Sequence, residues 1–185
     1  MKKIFCIILI VSISFSGTVF LGYDTKVKTN SDIGKMSNGG FYLAYNHQLA
    51  SKLLNSENLS IDLGTSISAN PMKSESGDIP VKINIASLYF LPIYNISQKL
   101  SLSYKMGYNV FSSDFFKSKG GLLYGFSINF KLSDNIYVGL NKVTNIAKLK
   151  YNYNHNDYYN ETLGYVERNS ELKIKRTMVT LGYTF

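Results

Sequence analysis

The sequence has no tryptophan, one cysteine and three prolines in 185 residues. Past its first residues it lacks any apolar run near the ~18 residues that a membrane helix needs. Charge is sparse too: 17% of residues are Asp, Glu, Lys or Arg, against roughly 25% in an ordinary soluble domain. Each shortage excludes something. The single cysteine, Cys6, lies in the N-terminal segment, so the chain beyond it has no disulfide and no thiol nucleophile. Two histidines and no further cysteine do not supply the ligand set of a specific transition-metal site. Asp114, Asp157 and Glu161 stand apart and do not form a calcium-loop pattern. No cofactor motif is present. The formal charge of +8 is spread out, without a basic run or a recognition motif, so nucleic acid is not an expected partner. Anionic lipid phosphates are the more natural one.

What the sequence does have is aromatic residues and alternation. Tyr supplies 15 residues and Phe 11. The N-terminal segment reads as a secretory signal peptide over 1–16. Lys2 and Lys3 precede the apolar run Ile4 to Val11, and Ser14-Phe15-Ser16 offers small residues for cleavage after Ser16. The remaining 17–185 read as one domain.

Period-2 alternation marks the strands. Leu59, Ile61, Leu63, Thr65 and Ile67 share one face, and Ser60, Asp62, Gly64, Ser66 and Ser68 the other. Leu100 to Tyr108 alternates with Ser101 to Asn109, and Leu122 to Phe130 alternates around Gly125, Ser127 and Asn129. Phe41 to Tyr45 and Ile136 to Leu140 repeat the pattern. A segment from Pro80 to Tyr94 is less regular. Lys82 and Asn84 suggest its inward parity, which then also turns Leu88 and Phe90 inward. A first strand over Thr18 to Lys26 completes the set.

The connections alternate in length. Short polar turns follow Tyr94 and Phe130, with a local repeat between Ile96-Ser97-Gln98-Lys99-Leu100 and Leu132-Ser133-Asp134-Asn135-Ile136. A further connection spans Ser51 to Asn58. Longer ones run over Val27 to Asn38, Asn70 to Ile79, Ser112 to Lys119 and Asn154 to Tyr165. Short turns on one side and long loops on the other are the habit of an outer-membrane barrel. The expected fold is therefore all-β: an eight-stranded antiparallel up-and-down transmembrane β-barrel. A soluble secreted barrel, with its apolar face inside, is the rival.

The last strand decides between them. Val179, Leu181, Tyr183 and Phe185 share one face and end the chain on Phe. This resembles the C-terminal strand of bacterial outer-membrane barrels, which the barrel-assembly machinery recognises. In size and strand number, 17–185 resembles the small eight-stranded barrels of the OmpA/OmpX-like group, as a barrel domain alone, with no peptidoglycan-binding domain after Phe185. The resemblance implies the outer membrane as location, with lipid and lipopolysaccharide as surroundings. It brings no functional motif.

Within that architecture, the outward parity of the last strand carries Lys173 and Lys175 to the external interface, where lipopolysaccharide phosphates or plain solvent would meet them. Tyr23, Tyr45, Tyr104, Tyr108, Tyr124, Tyr183 and Phe185 are the expected aromatic girdles. An eight-stranded barrel is just filled by its own side chains. Asp62, Lys82, Lys105 and Arg176 have inward parity and are expected to form a lumenal ion network, since an unpaired buried charge is costly. That network would plug the barrel or, alternatively, line a gated ion path. Leu88, Phe90, Leu123 and Val143 offer an apolar pocket or simple packing.

An enzyme is not expected. His47 follows a lipid-facing set, His155 lies in the polar stretch Tyr151 to Asn160 near Ser170 only in space, and no lipid deacylase or palmitoyltransferase pattern is present. Asn160-Glu161-Thr162 matches a glycosylation acceptor by spacing alone. The leading expectation is a structural or surface-interaction barrel whose external loops meet host or phage surfaces. The alternatives are a narrow pore or transporter for small or apolar solutes and, behind it, a lipid-modifying enzyme.

Overall fold

A computed structural model describes residues 17–29, 35–36, 39–73, 80–112, 117–118, 120–152 and 167–185. The signal-peptide segment 1–16, His155, Asp114, Asp157, Glu161 and most of the Tyr151 to Asn160 display lie outside the described residues, as do the side chains of Lys82 and Ser170.

Eight long strands form the wall: β1 Gly17–Thr29, β2 Phe41–Ala50, β3 Leu59–Lys73, β4 Pro80–Asn95, β5 Leu100–Ser112, β6 Gly121–Lys131, β7 Ile136–Asn152 and β8 Glu167–Thr184. Every sequential neighbour pairs antiparallel, and β8 returns to β1 from Thr18↔Thr184 to Thr29↔Ile174, which closes the sheet. Closure gives each of the eight strands a neighbour on both sides. The two-residue strands Lys35–Met36 and Lys117–Ser118 extend the sheet beyond the wall.

The sequence repeat at the short turns is a structural repeat. The amides of Ile96 and Ser97 donate to Leu100 O at 2.9 and 3.1 Å, and those of Leu132 and Ser133 to Ile136 O at 2.8 and 3.3 Å. The third connection on this side holds the 3-10 turn Leu53–Asn55. Gly17 and Phe185 lie together on the same rim, where the amide of Phe185 donates to Gly17 O.

The faces are inverted relative to a soluble protein. Phe41 is 70% exposed and Leu122 64%, whereas the interior holds Lys105 at 4% and Arg176 at 2%. An apolar wall around a partly ionic interior suits hydrocarbon outside, not water. The soluble rival, which needs the apolar alternate buried, does not describe this barrel.

Two local features depart from simple alternation. In β4 the buried side chains are Ile83, Ile85, Tyr89 and Leu91, while Leu88 and Phe90 are exposed on the wall. Both faces of this strand are apolar, so polarity alone chose the wrong parity; the face that carries Asn84 is the outer one. In β1 the register shifts between Asp24 and Lys26. This bulge lets Asp24 and Val27 both point inward, and Thr25 Oγ1 donates to Thr177 O at 3.0 Å. Inside, Gly64 is required by a close approach. A Cβ there would collide with the Tyr89 ring and come within 2.6 Å of Asn46 Oδ1.

Candidate functional site

The candidate site is the barrel interior, and it changes character along the axis. Near the short turns, a cavity of about 300 Å³ is lined by polar side chains including Gln48, Ser60, Asp62, Asn95, Asn129 and Tyr137. Strand alternation places Ser, Asn and Asp on this face because they fit a narrow, hydrated interior.

At mid-depth, two charged clusters cross the lumen. Arg176 of β8 donates through Nε to Asp24 Oδ1 at 3.0 Å and Oδ2 at 3.1 Å, and through Nη1 to Ser68 Oγ at 2.8 Å. Both members of the pair are fully buried, so each charge depends on the other. Lys105 of β5 donates to the Tyr42 hydroxyl at 2.6 Å and sits 4.2 Å from the Tyr89 ring centroid. The Tyr89 hydroxyl donates to Asn46 Oδ1 at 2.8 Å. Arg176 also lies over Tyr42, 5.7 Å from its centroid, so this one ring faces both cations. On the opposite wall, Ser127 donates to Asn141, whose Nδ2 donates to Thr180 Oγ1 at 2.8 Å.

Beyond the charges the lumen becomes apolar. Val27, Ile83, Ile85, Phe111, Ala147, Leu172 and Ile174 form one buried cluster across five strands. Asn109 caps the edge of this zone by donating to Gly121 O, Leu122 O and Ile146 O. The polar cavity is therefore blind: charged groups roof it, and aliphatic packing stands above the roof.

Of the residues expected to share an ion network, Lys105 and Arg176 are buried inward and share Tyr42. Asp62 is buried 9% exposed and lines the cavity wall, without an ion pair to either. Arg176 takes Asp24 instead. Asp24 was missed from sequence, though alternation from the outward Tyr23 points it inside. Tyr42 was not singled out as a charge partner, and Tyr89 was missed because the parity assumed for its strand turned it outward. Leu123 and Val143 do point inward, but with Tyr42, Ala44, Tyr89, Leu91 and Met178, not with Leu88 and Phe90.

On the wall, Val179, Leu181, Tyr183 and Phe185 form one exposed row, with Tyr183 and Phe185 rings 6.2 Å apart. Lys175 is exposed and Lys173 half-buried on the same face. The expected girdle residues stand on the wall too, Tyr45 half-buried and the others exposed. His47 is half-buried on β2. Among the described residues, no group of three or more His, Cys, Asp or Glu is placed to hold a metal.

The fold is that of the small eight-stranded outer-membrane barrels. Ail, the attachment invasion locus protein of Yersinia pestis, superposes with a TM-score of 0.55 at 17% identity, covering 92% of this chain and 99% of that one. Ail in complex with the heparin analogue sucrose octasulfate gives 0.53, again at 17% identity, with 92% and 97% covered. Neisserial surface protein A gives 0.54 at 10% identity, with 92% and 97% covered. No family model and no curated protein sequence matches the chain.

Proposed function

We propose that this chain is an integral outer-membrane barrel with a non-enzymatic, structural and surface-interaction role. The observation that carries the reading is the inverted wall: exposed Leu, Phe, Tyr and Ile outside, paired ions and hydrogen-bonded Asn and Ser inside. In this reading residues 1–16 are cleaved on export, and the row Val179, Leu181, Tyr183, Phe185 is what the barrel-assembly machinery engages. The short turns face the periplasm and the four long connections face the exterior, where they meet host or phage surfaces.

The test is cell fractionation followed by gel mobility of unheated and heated samples. Outer-membrane enrichment with a heat-modifiable band is the expected result. A soluble product without a mobility shift overturns the reading. Loss of adhesion on deleting 154–160, with the heat-modifiable band retained, assigns the interaction role to that loop.

The narrow-pore alternative has the blind cavity in its favour and the apolar packing above it against it. A lumen filled this way gives no steady single-channel conductance in planar bilayers; steady conductance that changes in Arg176→Ala establishes the pore.

A further inference from the structure

The wall is not equally apolar all the way round. On β6 the outward row rises from Phe130 through Phe126 to Leu122, all exposed and all apolar. On β7, β8 and β1, which are consecutive neighbours across the seam, the rise stops sooner. Leu140 is followed outward by Lys142, Val179 by Thr177 and Lys175, and Tyr23, past the bulge, by Lys26 and Lys28. These four lysines are exposed.

Their register makes them a cluster. Lys28 stands directly opposite Lys175, and Lys26 opposite Thr177, whose other neighbour is Lys142. Like charges opposed on a ladder repel. Among the described side chains of these strands the carboxylates are Asp24, turned inward to Arg176, and Glu171, paired in register with Lys148 farther out, and neither relieves them. At ~3.3 Å per residue and a tilt near 40°, Lys142 lies about 18 Å above the turn that launches β7. The apolar band of such a barrel is ~25 Å tall. The ammonium groups thus start inside the band and can reach its edge only by snorkelling.

We infer that this lysine-faced notch in the belt is a lipid site. Its occupant is a phosphorylated glycolipid of the external leaflet, with phosphates among Lys26, Lys28, Lys142 and Lys175 and acyl chains over Val179 and Leu140. The inference rests on the outer-membrane reading above. Phosphate supplies the negative charge that the described side chains of these strands do not bring to the cluster, and a lipid anchor holds it at the depth where the lysines emerge.

The test uses the whole barrel in phosphatidylcholine nanodiscs doped with lipid A, either bis-phosphorylated or dephosphorylated. Bound glycolipid is read by native mass spectrometry. The wild type is expected to retain the phosphorylated form at least tenfold over the dephosphorylated one. K26Q/K28Q/K142Q/K175Q loses that preference, and K52Q/K99Q/K131Q, altered at the short turns, keeps it. Equal retention of the two lipids by the wild type overturns the site, as does an unchanged preference in the four-lysine variant. If that variant does not fold, K28Q and K175Q singly are expected to cut the preference severalfold, and no change in either overturns it. Displacement of the lipid by an equal concentration of inorganic phosphate also overturns it. A heat-modifiable wild-type band without lipid preference defeats this inference alone; absence of that band defeats the membrane reading with it.

Discussion

The two halves of the lumen are filled by different physics. Toward the short turns the interior is polar and holds a cavity beside Asp62, Asn95 and Tyr137. Toward the long connections it is dry aliphatic packing of Ile83, Phe111, Leu172 and Ile174. The Asp24–Arg176 pair and the Lys105–Tyr42–Tyr89 group lie between them. A barrel this narrow closes either way, but the two closures fail differently. Removing an aliphatic group from the dry half leaves a cavity, while removing one partner from the charged layer strands an ion.

That contrast can be broken or sharpened by substitution, with stability read from urea unfolding in lipid vesicles. Arg176→Met should cost most, about 3–5 kcal/mol, because it leaves the fully buried Asp24 carboxylate uncompensated. Asp24→Asn combined with Arg176→Met should recover most of that loss; a double variant as unstable as the sum of its parts would mean the pair stabilises by more than mutual neutralisation. Phe111→Ala should follow, at ~3–4 kcal/mol, through the cavity left in the dry half. Leu122→Ala on the wall should cost clearly less than Phe111→Ala, since lipid refills the space; equal costs would erase the distinction between wall and plug. Gly64→Ala should cost about 1–3 kcal/mol by driving the Tyr89 ring off its site. The smallest effect belongs to Ser127→Ala, about 1 kcal/mol, for one hydrogen bond to Asn141 in the buried layer.

The wall was far more legible in the sequence than the interior. Segments such as 59–68 and 122–130 alternate between Leu, Ile or Phe and Ser or Gly, so their parity follows from polarity alone. β4 lacks that contrast: Ile83 and Tyr89 face in while Leu88 and Phe90 face out, and one polar marker, Asn84, stands outside because it lies high on the wall. Inward direction was readable for Lys105 and Arg176, but pairing was not. Parity gives direction, and the partner depends on which strands meet across the lumen. Arg176 faces Asp24 because β8 closes on β1, a neighbour that no local pattern announces. The lysine sector was half legible: Lys173 and Lys175 sit on one strand, but Lys28 joins them only through closure and the β1 bulge.

That bulge also makes the first strand tolerant of losing one residue. Deleting Thr25 would join Asp24 to Lys26 in a regular ladder, with Val27 still inside and Lys26 and Lys28 still on the wall. A one-residue deletion within β6, which pairs without a bulge on both sides, turns everything beyond it to the other face, whereas one at Thr25 does not. Among variants of this barrel, β1 should therefore occur with and without the extra residue between Tyr23 and Val27, while β6 holds its length and the connections gain and lose residues freely.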